Sequence, residues 1–489
     1  MCALAAAAVL WCFKHGYILY WGDAQAHLNV SRSIIDSRTP GYDQLGTVWL
    51  PLLHLICLPL VGNNWLWTTG LAGSIPVAAC FVVAGLCFYL AARHAYRSSA
   101  AALVVLSCFA LNPNVLYLAS IPMTEVVFFA GLGLLLLALL QYRNTQHVRW
   151  IAVGVVASWF TSLTRYDGWF LIPFAAVAFR LFARHRRWSV LAVFGVIASF
   201  APLYWLVHNR WETGNALDFY NGPYSASAIQ AGRPYRGYRD WKLALQYYGK
   251  AGELCAGWPL ILLGIAGVFC AAAKKTLAPV LFLALTPLFY VWSMHSSGAT
   301  PIHVPQFWPH SYYNTRYGIA VELLAAFAAG AIVLVTPIRW RRVVIPLLLL
   351  VSISPWILNP SKESWICWKE SQVNSDARRA WTAAGAEFLK AYYQKGDGIL
   401  TFSGTGDVAG IFCRAGIPLA ETLNIGNGPA WLANTSRPDL LHQVLWAVAQ
   451  AGDPVALALD RAEPPQYRTV EEIQIEGAVP LRIYRREAQ

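Results

Sequence analysis

Charge is scarce in this sequence. Asp, Glu, Lys and Arg make up 13% of its 489 residues, against 57% hydrophobic and 14% aromatic. Soluble globular domains carry about a quarter charged residues, so an ordinary water-exposed globule is excluded. Acidic residues are scarcer still, 25 against 37 Lys and Arg, which leaves a formal net charge of +12. That excess forms no exposed basic stripe with interleaved aromatics, which excludes nucleic acid as its explanation. Paired cysteine spacings of the metal-site kind are lacking too. The ten cysteines are scattered, and Cys12, Cys80, Cys87, Cys108 and Cys270 lie inside apolar runs as small buried hydrophobes. Only Cys367 and Cys413 fall in a soluble stretch, where an extracytoplasmic location allows a disulfide between them. No basic n-region precedes the first apolar run, so it reads as an uncleaved helix. Lys14 and His15 then snorkel to the outer interface, unless the natural start lies elsewhere.

Apolar runs take the place of charge. Stretches of about 18 or more residues, each able to cross a bilayer as a helix, recur through residue 358. Short loops between them hold Arg93 and Arg97, Arg143 and Arg149, Arg180 to Arg187, Lys274 and Lys275, and Arg339 to Arg342, which the positive-inside rule makes cytoplasmic. Spans are expected near 1–20, 65–92, 100–119, 121–141, 150–165, 168–184, 189–208, 254–273, 276–294, 318–337 and 343–358. This is a polytopic α-helical membrane protein of about eleven transmembrane helices, and an odd number sends the C-terminus outside. Residues 1–358 form the membrane domain and 359–489 an extracytoplasmic α/β domain. In the tail, β-like runs are expected at 398–402, 455–459 and 481–484, and helices at 376–393 and 440–451. Gly-rich turns lie at 404–406 and 424–428, where phosphate cradling would require strand, loop and helix in that order.

The outer-face segments hold most of the Asp, Glu, His and Tyr residues. After the first helix, Asp23 and His27 sit four apart on one helical face, with Ala24, Leu28, Ser31 and Ile35 on another, as in a juxtamembrane helix lying on the outer leaflet. Asp23 reads both as a helix N-cap and as a general base. Residues 44–60, apolar but short and containing Pro51, read as a re-entrant or surface helix able to wall a lipid-entry groove. Glu125 lies at the outer end of a span, and Arg165, Tyr166, Asp167 and Trp169 share one turn. Ionisable groups at such depth mark function, or here a structural ion pair with aromatic anchors. Loop 209–253, dense in Tyr and Arg, shapes an acceptor site or is a solvated loop. In loop 295–317, His295, His303 and His310 match no compact ligand spacing, so no metal is indicated, and Arg316 beside Tyr317 suits a phosphate better. A cation about 4 Å from a phosphate charge near a protein surface contributes about 4 kcal/mol before desolvation.

Five features appear in order: an acidic residue after the first helix, a Pro-containing surface helix, a second helix ending in Ala-Arg, a helical hairpin with an acidic outer turn, and the Leu163 to Trp169 stretch. This order over the first 215 residues resembles the GT-C superfamily, specifically bacterial relatives of protein O-mannosyltransferases and of the lipid A aminoarabinose transferase. The resemblance implies that Asp23 is the catalytic base, and that Glu125 takes a second acidic position where the family usually has Asp. It also implies a polyprenyl-phosphate monosaccharide donor, which topology favours independently because nucleotide sugars are cytoplasmic. Transfer by inverting displacement to a protein, lipid or polysaccharide acceptor is then expected at the outer face of a bacterial cytoplasmic membrane. Arg165, Arg316 and Tyr317 would hold the donor phosphate. His27, Tyr166, Asp167, Trp169 and His310 would position acceptor or sugar, with no nucleotide or redox cofactor. A transporter or flippase of lipid-linked glycan would instead need an internal repeat and broken or acidic mid-membrane helices. A non-enzymatic envelope scaffold would leave the carboxylates dispensable.

Overall fold

The computed structural model describes residues 1–230, 233, 235–404, 406, 408–437, 444–462 and 466–487. It separates into two compact units. One comprises Met1–Leu10, Val77–Ser120 and Thr124–Glu370, the other Trp11–Pro76, Ile121–Met123 and Ser371–Gln489.

The first unit is a helical membrane bundle. Among the described residues six helices are long and apolar enough to cross a bilayer: Leu71–Tyr96, Thr124–Thr145, Arg187–Thr213, Ala278–Ser296, Thr315–Val335 and Ile338–Leu358. A seventh arises if the bent pair Trp241–Ala256 and Trp258–Ala273 counts as one span. Cys2–Lys14 and Ser99–Ala110 are shorter apolar helices, and Arg149–Ser162 and Asp167–Phe182 occupy two further expected spans with 14 and 16 residues. Thr124–Thr145 is 83% buried and forms the core, whereas Ile338–Leu358, at 11%, lines the rim.

One detail departs from expectation. Loop 209–253 contains the helix Trp241–Ala256, whose buried Ala244, Tyr247, Tyr248, Ala251 and Cys255 recur at helical spacing. Asp240 caps it by accepting the Leu243 N–H at 3.0 Å. The dense Tyr and Arg of the preceding stretch obscured this stripe. The helix meets Trp258–Ala273 at 105°, through Gly257 at φ +77°. In addition, Glu322 lies fully buried in a span, and neither carboxylate oxygen takes a hydrogen bond from the described residues.

The second unit is α/β. Strands β1 (Ile399–Thr401), β2 (Thr422–Leu423), β3 (Trp446–Gln450), β4 (Tyr467–Ile473) and β5 (Leu481–Arg486) form one sheet in the order β2-β1-β3-β5-β4. β1 runs parallel to β2 and β3, while β5 is antiparallel to β3 and β4. Leu400, Ala447, Val455, Tyr467 and Tyr484 belong to its core. The strands expected at 398–402 and 481–484 are present, and the helix at 376–393 is the long helix Ile366–Tyr392.

Two tail expectations need correction. Residues 455–459 lie in the helix Pro454–Arg461, because Asp453 accepts the Ala456 N–H at 2.9 Å and Pro454 presets the first turn. The helix expected at 440–451 is strand β3 over Trp446–Gln450, a short apolar run buried between two neighbours as central strands are. Residues 440–443 lie outside the described residues, as does Thr405 in the Gly-rich turn 404–406.

The N-terminal part of this unit holds the helix Gly22–Ser33. Every residue from Ala24 to Ser33 is buried, so it is not a helix lying on a leaflet with one wet face. Arg32 fixes it by bonding Asp36 at 2.6 Å, the Val61 carbonyl at 2.5 Å and Asn64 at 2.8 Å. Asp36 in turn accepts the Ala420 N–H at 3.1 Å. The surface element expected over 44–60 is the helix Leu52–Val61, which starts after Pro51.

Candidate active site

The first unit gathers five of the charged and aromatic residues expected to act. Glu125 sits in the first turn of Thr124–Thr145, where the helix N-terminus favours a carboxylate. Arg165 lies in the turn between Arg149–Ser162 and Asp167–Phe182. Its Nη1 donates to Glu125 Oε1 at 3.0 Å and to Thr124 Oγ1 at 2.7 Å, and its Nε to Asp167 Oδ1 at 3.3 Å. Its Nη2 donates to the Tyr290 hydroxyl at 3.0 Å, which in turn donates a hydrogen bond to Asp167 Oδ2 at 2.9 Å. Gly168 lets this turn close: a Cβ there would stand 2.5 Å from the Thr161 carbonyl carbon.

Arg316 comes from the turn Thr315–Gly318. Its Nε reaches the same Glu125 Oε1 at 3.1 Å, and its Nη1 reaches Glu370 Oε1 at 3.3 Å. Glu370 Oε2 also accepts the Arg316 N–H at 3.0 Å and the Thr315 hydroxyl. The turn packs on Trp241–Ala256 through Gly318, where a Cβ would meet the Ala251 carbonyl oxygen at 2.2 Å. Tyr317 lies under both guanidinium groups, at 4.9 Å from Arg165 and 5.2 Å from Arg316, and stacks on Tyr290 at 4.9 Å.

Two guanidinium cations therefore face three carboxylates, all nearly buried. With all five ionised the cluster carries one net negative charge. Burial pushes the Glu370 carboxyl above the usual carboxylate range, and Arg316 pulls it part of the way back. Glu125 Oε2 is buried and takes no hydrogen bond from the described residues. The cluster thus presents one acceptor oxygen and two anchored cations, at a cost that only tight pairing offsets.

The other expected residues lie elsewhere. Tyr166 stacks on Phe219 at 4.8 Å and accepts from the Trp205 indole, while Trp169 bonds the Ser162 carbonyl. Both thus pack an aromatic cluster rather than the guanidinium groups. His310 bonds the Pro305 carbonyl within its own loop at 3.1 Å. His295 stacks on Trp241 and His303 pairs in a β-bridge with Tyr313, so the three histidines do not converge. Among the described residues no group of three or more His, Cys, Asp and Glu is placed to hold a metal ion.

Asp23 and His27 belong to the second unit. The N-cap of their helix is Trp21 and Asp23 sits in the first turn, so Asp23 is not the cap. His27 Nδ1 meets His54 Nε2 at 3.0 Å, with the Trp49 ring 4.3 Å away. Sequence reasoning missed Tyr290, Thr315 and Glu370. Tyr290 alone left a trace, as a hydroxyl inside an apolar run.

No family model matches the chain, and no curated protein does. A solved structure does. The crystal structure of ArnT from Cupriavidus metallidurans in the apo state aligns over 98% of each chain, with a TM-score of 0.57 and 13% sequence identity. The chain has the GT-C fold. That GT-C likeness reaches the C-terminal α/β segment, well beyond the 215 residues that carried the sequence resemblance. With several apolar helices long enough to span, the chain is a multi-pass membrane protein.

Proposed function

We propose that this chain is a glycosyltransferase. It moves a monosaccharide from a polyprenyl-phosphate donor to a protein, lipid or polysaccharide acceptor at the outer face of a bacterial cytoplasmic membrane. The observation that carries the reading is the convergence of Arg165 and Arg316, from distant parts of a GT-C bundle, on one oxygen of Glu125. Cations held in a nearly dry site are what a departing phosphate needs, because preorganised charge is the largest usual term in stabilising a leaving group.

The carboxylates set the order of events. The donor phosphate takes over the longest contacts first, those of Arg165 Nε with Asp167 and of Arg316 Nη1 with Glu370, both 3.3 Å. Glu125 keeps the two guanidinium groups together meanwhile, and its open Oε2 accepts a hydroxyl of sugar or acceptor. Asp23 takes the acceptor's proton, the acceptor attacks the anomeric carbon, and the polyprenyl phosphate leaves with inversion. The role of Asp23 rests on the family resemblance.

The test is transfer of labelled sugar in membranes carrying Asp23→Asn or Arg316→Gln. Loss of about 100-fold or more in rate, with normal insertion and melting, is expected for each. Full transfer by both variants would sink the enzyme reading.

A further inference from the structure

We propose that the loop joining Thr124–Thr145 to Arg149–Ser162 and the loop joining Asp167–Phe182 to Arg187–Thr213 form one binding shelf for the phosphate headgroup of an anionic membrane lipid. Six arginines lie on or beside them: Arg143, Arg149, Arg180, Arg184, Arg186 and Arg187. No Asp or Glu occurs from 126 to 166 or from 168 to 211. None of the six guanidinium groups meets a carboxylate among the described residues, whereas Arg165 and Arg316 of the same unit each meet two. Side chains join the two loops. Gln146 Nε2 donates to the Phe182 carbonyl at 2.9 Å, while its Oε1 accepts the Arg184 N–H at 2.9 Å. Arg143 lies over the Phe182 ring at 5.4 Å and Arg180 over the Trp188 ring at 4.1 Å. Arg187 Nε donates to the Ala183 carbonyl at 2.9 Å. The Arg180 Nε is buried and takes part in no hydrogen bond among the described residues, and the other five arginines are exposed.

Charge and apolar surroundings together define the occupant. Guanidinium groups without a carboxylate suit a phosphodiester, whose oxygens they bind in forked pairs. The same loops expose Val148 at 75%, Leu181 at 65% and Trp188 at 69%. A free phosphate would leave those side chains in water, whereas the acyl chains of a lipid cover them. Basic clusters at the ends of membrane helices hold anionic headgroups, each cation near the surface contributing about fivefold in affinity. Neither sidedness nor sugar transfer enters.

Lipid retention tests it. Full-length protein in a nonionic detergent is titrated with dioleoylphosphatidylglycerol or dioleoylphosphatidylcholine, and bound lipid is counted by native mass spectrometry. Phosphatidylglycerol should be retained and phosphatidylcholine lost, and added salt should weaken the retention. Arg184→Gln, Arg186→Gln and Arg187→Gln together should weaken phosphatidylglycerol binding by about 100-fold, at an unchanged melting temperature in lipid-free detergent. If that chain does not fold, Arg184→Gln alone should weaken binding about fivefold. Lys274→Gln with Lys275→Gln, in a different basic loop, should leave binding unchanged. Equal retention of the two lipids, undiminished binding in the arginine variants, or an equal loss in the lysine pair would overturn the inference. Glycerol 3-phosphate bound as tightly as phosphatidylglycerol would overturn it too, because it would mark a site for a free phosphate.

Discussion

Replacing Glu370 with Gln should leave the fold no weaker at neutral pH and strengthen donor binding. The Gln amide oxygen can still accept from the Arg316 N–H and the Thr315 hydroxyl, so the lost element is the ion pair at 3.3 Å. At an effective dielectric of about 20, unit charges at that distance attract by roughly 5 kcal/mol. All of this is returned once the carboxylate is ionised, because burial outweighs the attraction and holds the carboxyl above its ordinary range, and Arg316 keeps Glu125. At neutral pH the Gln variant should therefore melt at or slightly above the wild-type temperature. The cluster meanwhile loses its net negative charge, and a phosphate no longer competes with Glu370 for Arg316. Relief of even 1.4 kcal/mol tightens donor binding about tenfold. The sign of the pH dependence follows from burial, which holds the Glu370 carboxyl above its ordinary range. The folded state then binds the extra proton, so the contribution is fully present below the unfolded value of about 4.3. It is lost as pH rises through the folded value. Melting in detergent at stepped pH should show the wild-type advantage over Glu370→Gln shrinking upward from there, and titration with a short-chain polyprenyl-phosphate sugar should show the tighter binding. Weaker donor binding in Glu370→Gln, or an advantage that grows with pH, would refute the reasoning.

Much of the fold was legible because it depends on local pattern. Apolar run length placed a helix in every expected span, and Pro, Gly and charge marked their ends. What failed did so where tertiary context decides. The run at 455–459 has strand composition, but Asp453 and Pro454 start a helix there. The run at 446–450 reads as helix only until two neighbouring strands bury it. At the site, Glu125, Arg165 and Asp167 stood out because charge inside apolar surroundings costs too much to be incidental, and Arg316 and Tyr317 because a cation beside an aromatic in an outer loop suits a phosphate. Glu370 did not stand out. It lies among ordinary polar residues of an amphipathic helix, and its meaning comes from Arg316, 54 positions away. Tyr166 and Trp169 show the converse, since nearness in sequence to Arg165 did not bring their rings to it.

Two further outcomes follow from the same geometry. Arg165→Lys should cost more than a conserved charge suggests, because one ammonium cannot span Glu125, Asp167 and Tyr290 at once. A transfer rate lowered at least tenfold, at normal expression, is expected in a steady-state assay, and a wild-type rate would show that the fork geometry is immaterial. Gly318→Ala probes how the Arg316 turn is seated. Its Cβ would stand 2.2 Å from the Ala251 carbonyl oxygen, on backbone that cannot swing away as a side chain can. The turn must therefore shift outward, lengthening contacts from Arg316 to Glu125 that are now 3.1 Å. Misplacing a charged group by about 1 Å costs on the order of 100-fold in rate, so transfer should fall by about that factor while the membrane helices still insert. If Gly318→Ala transfers at the wild-type rate, the placement of Arg316 does not control the reaction, and the cluster would have to be read as a structural ion network.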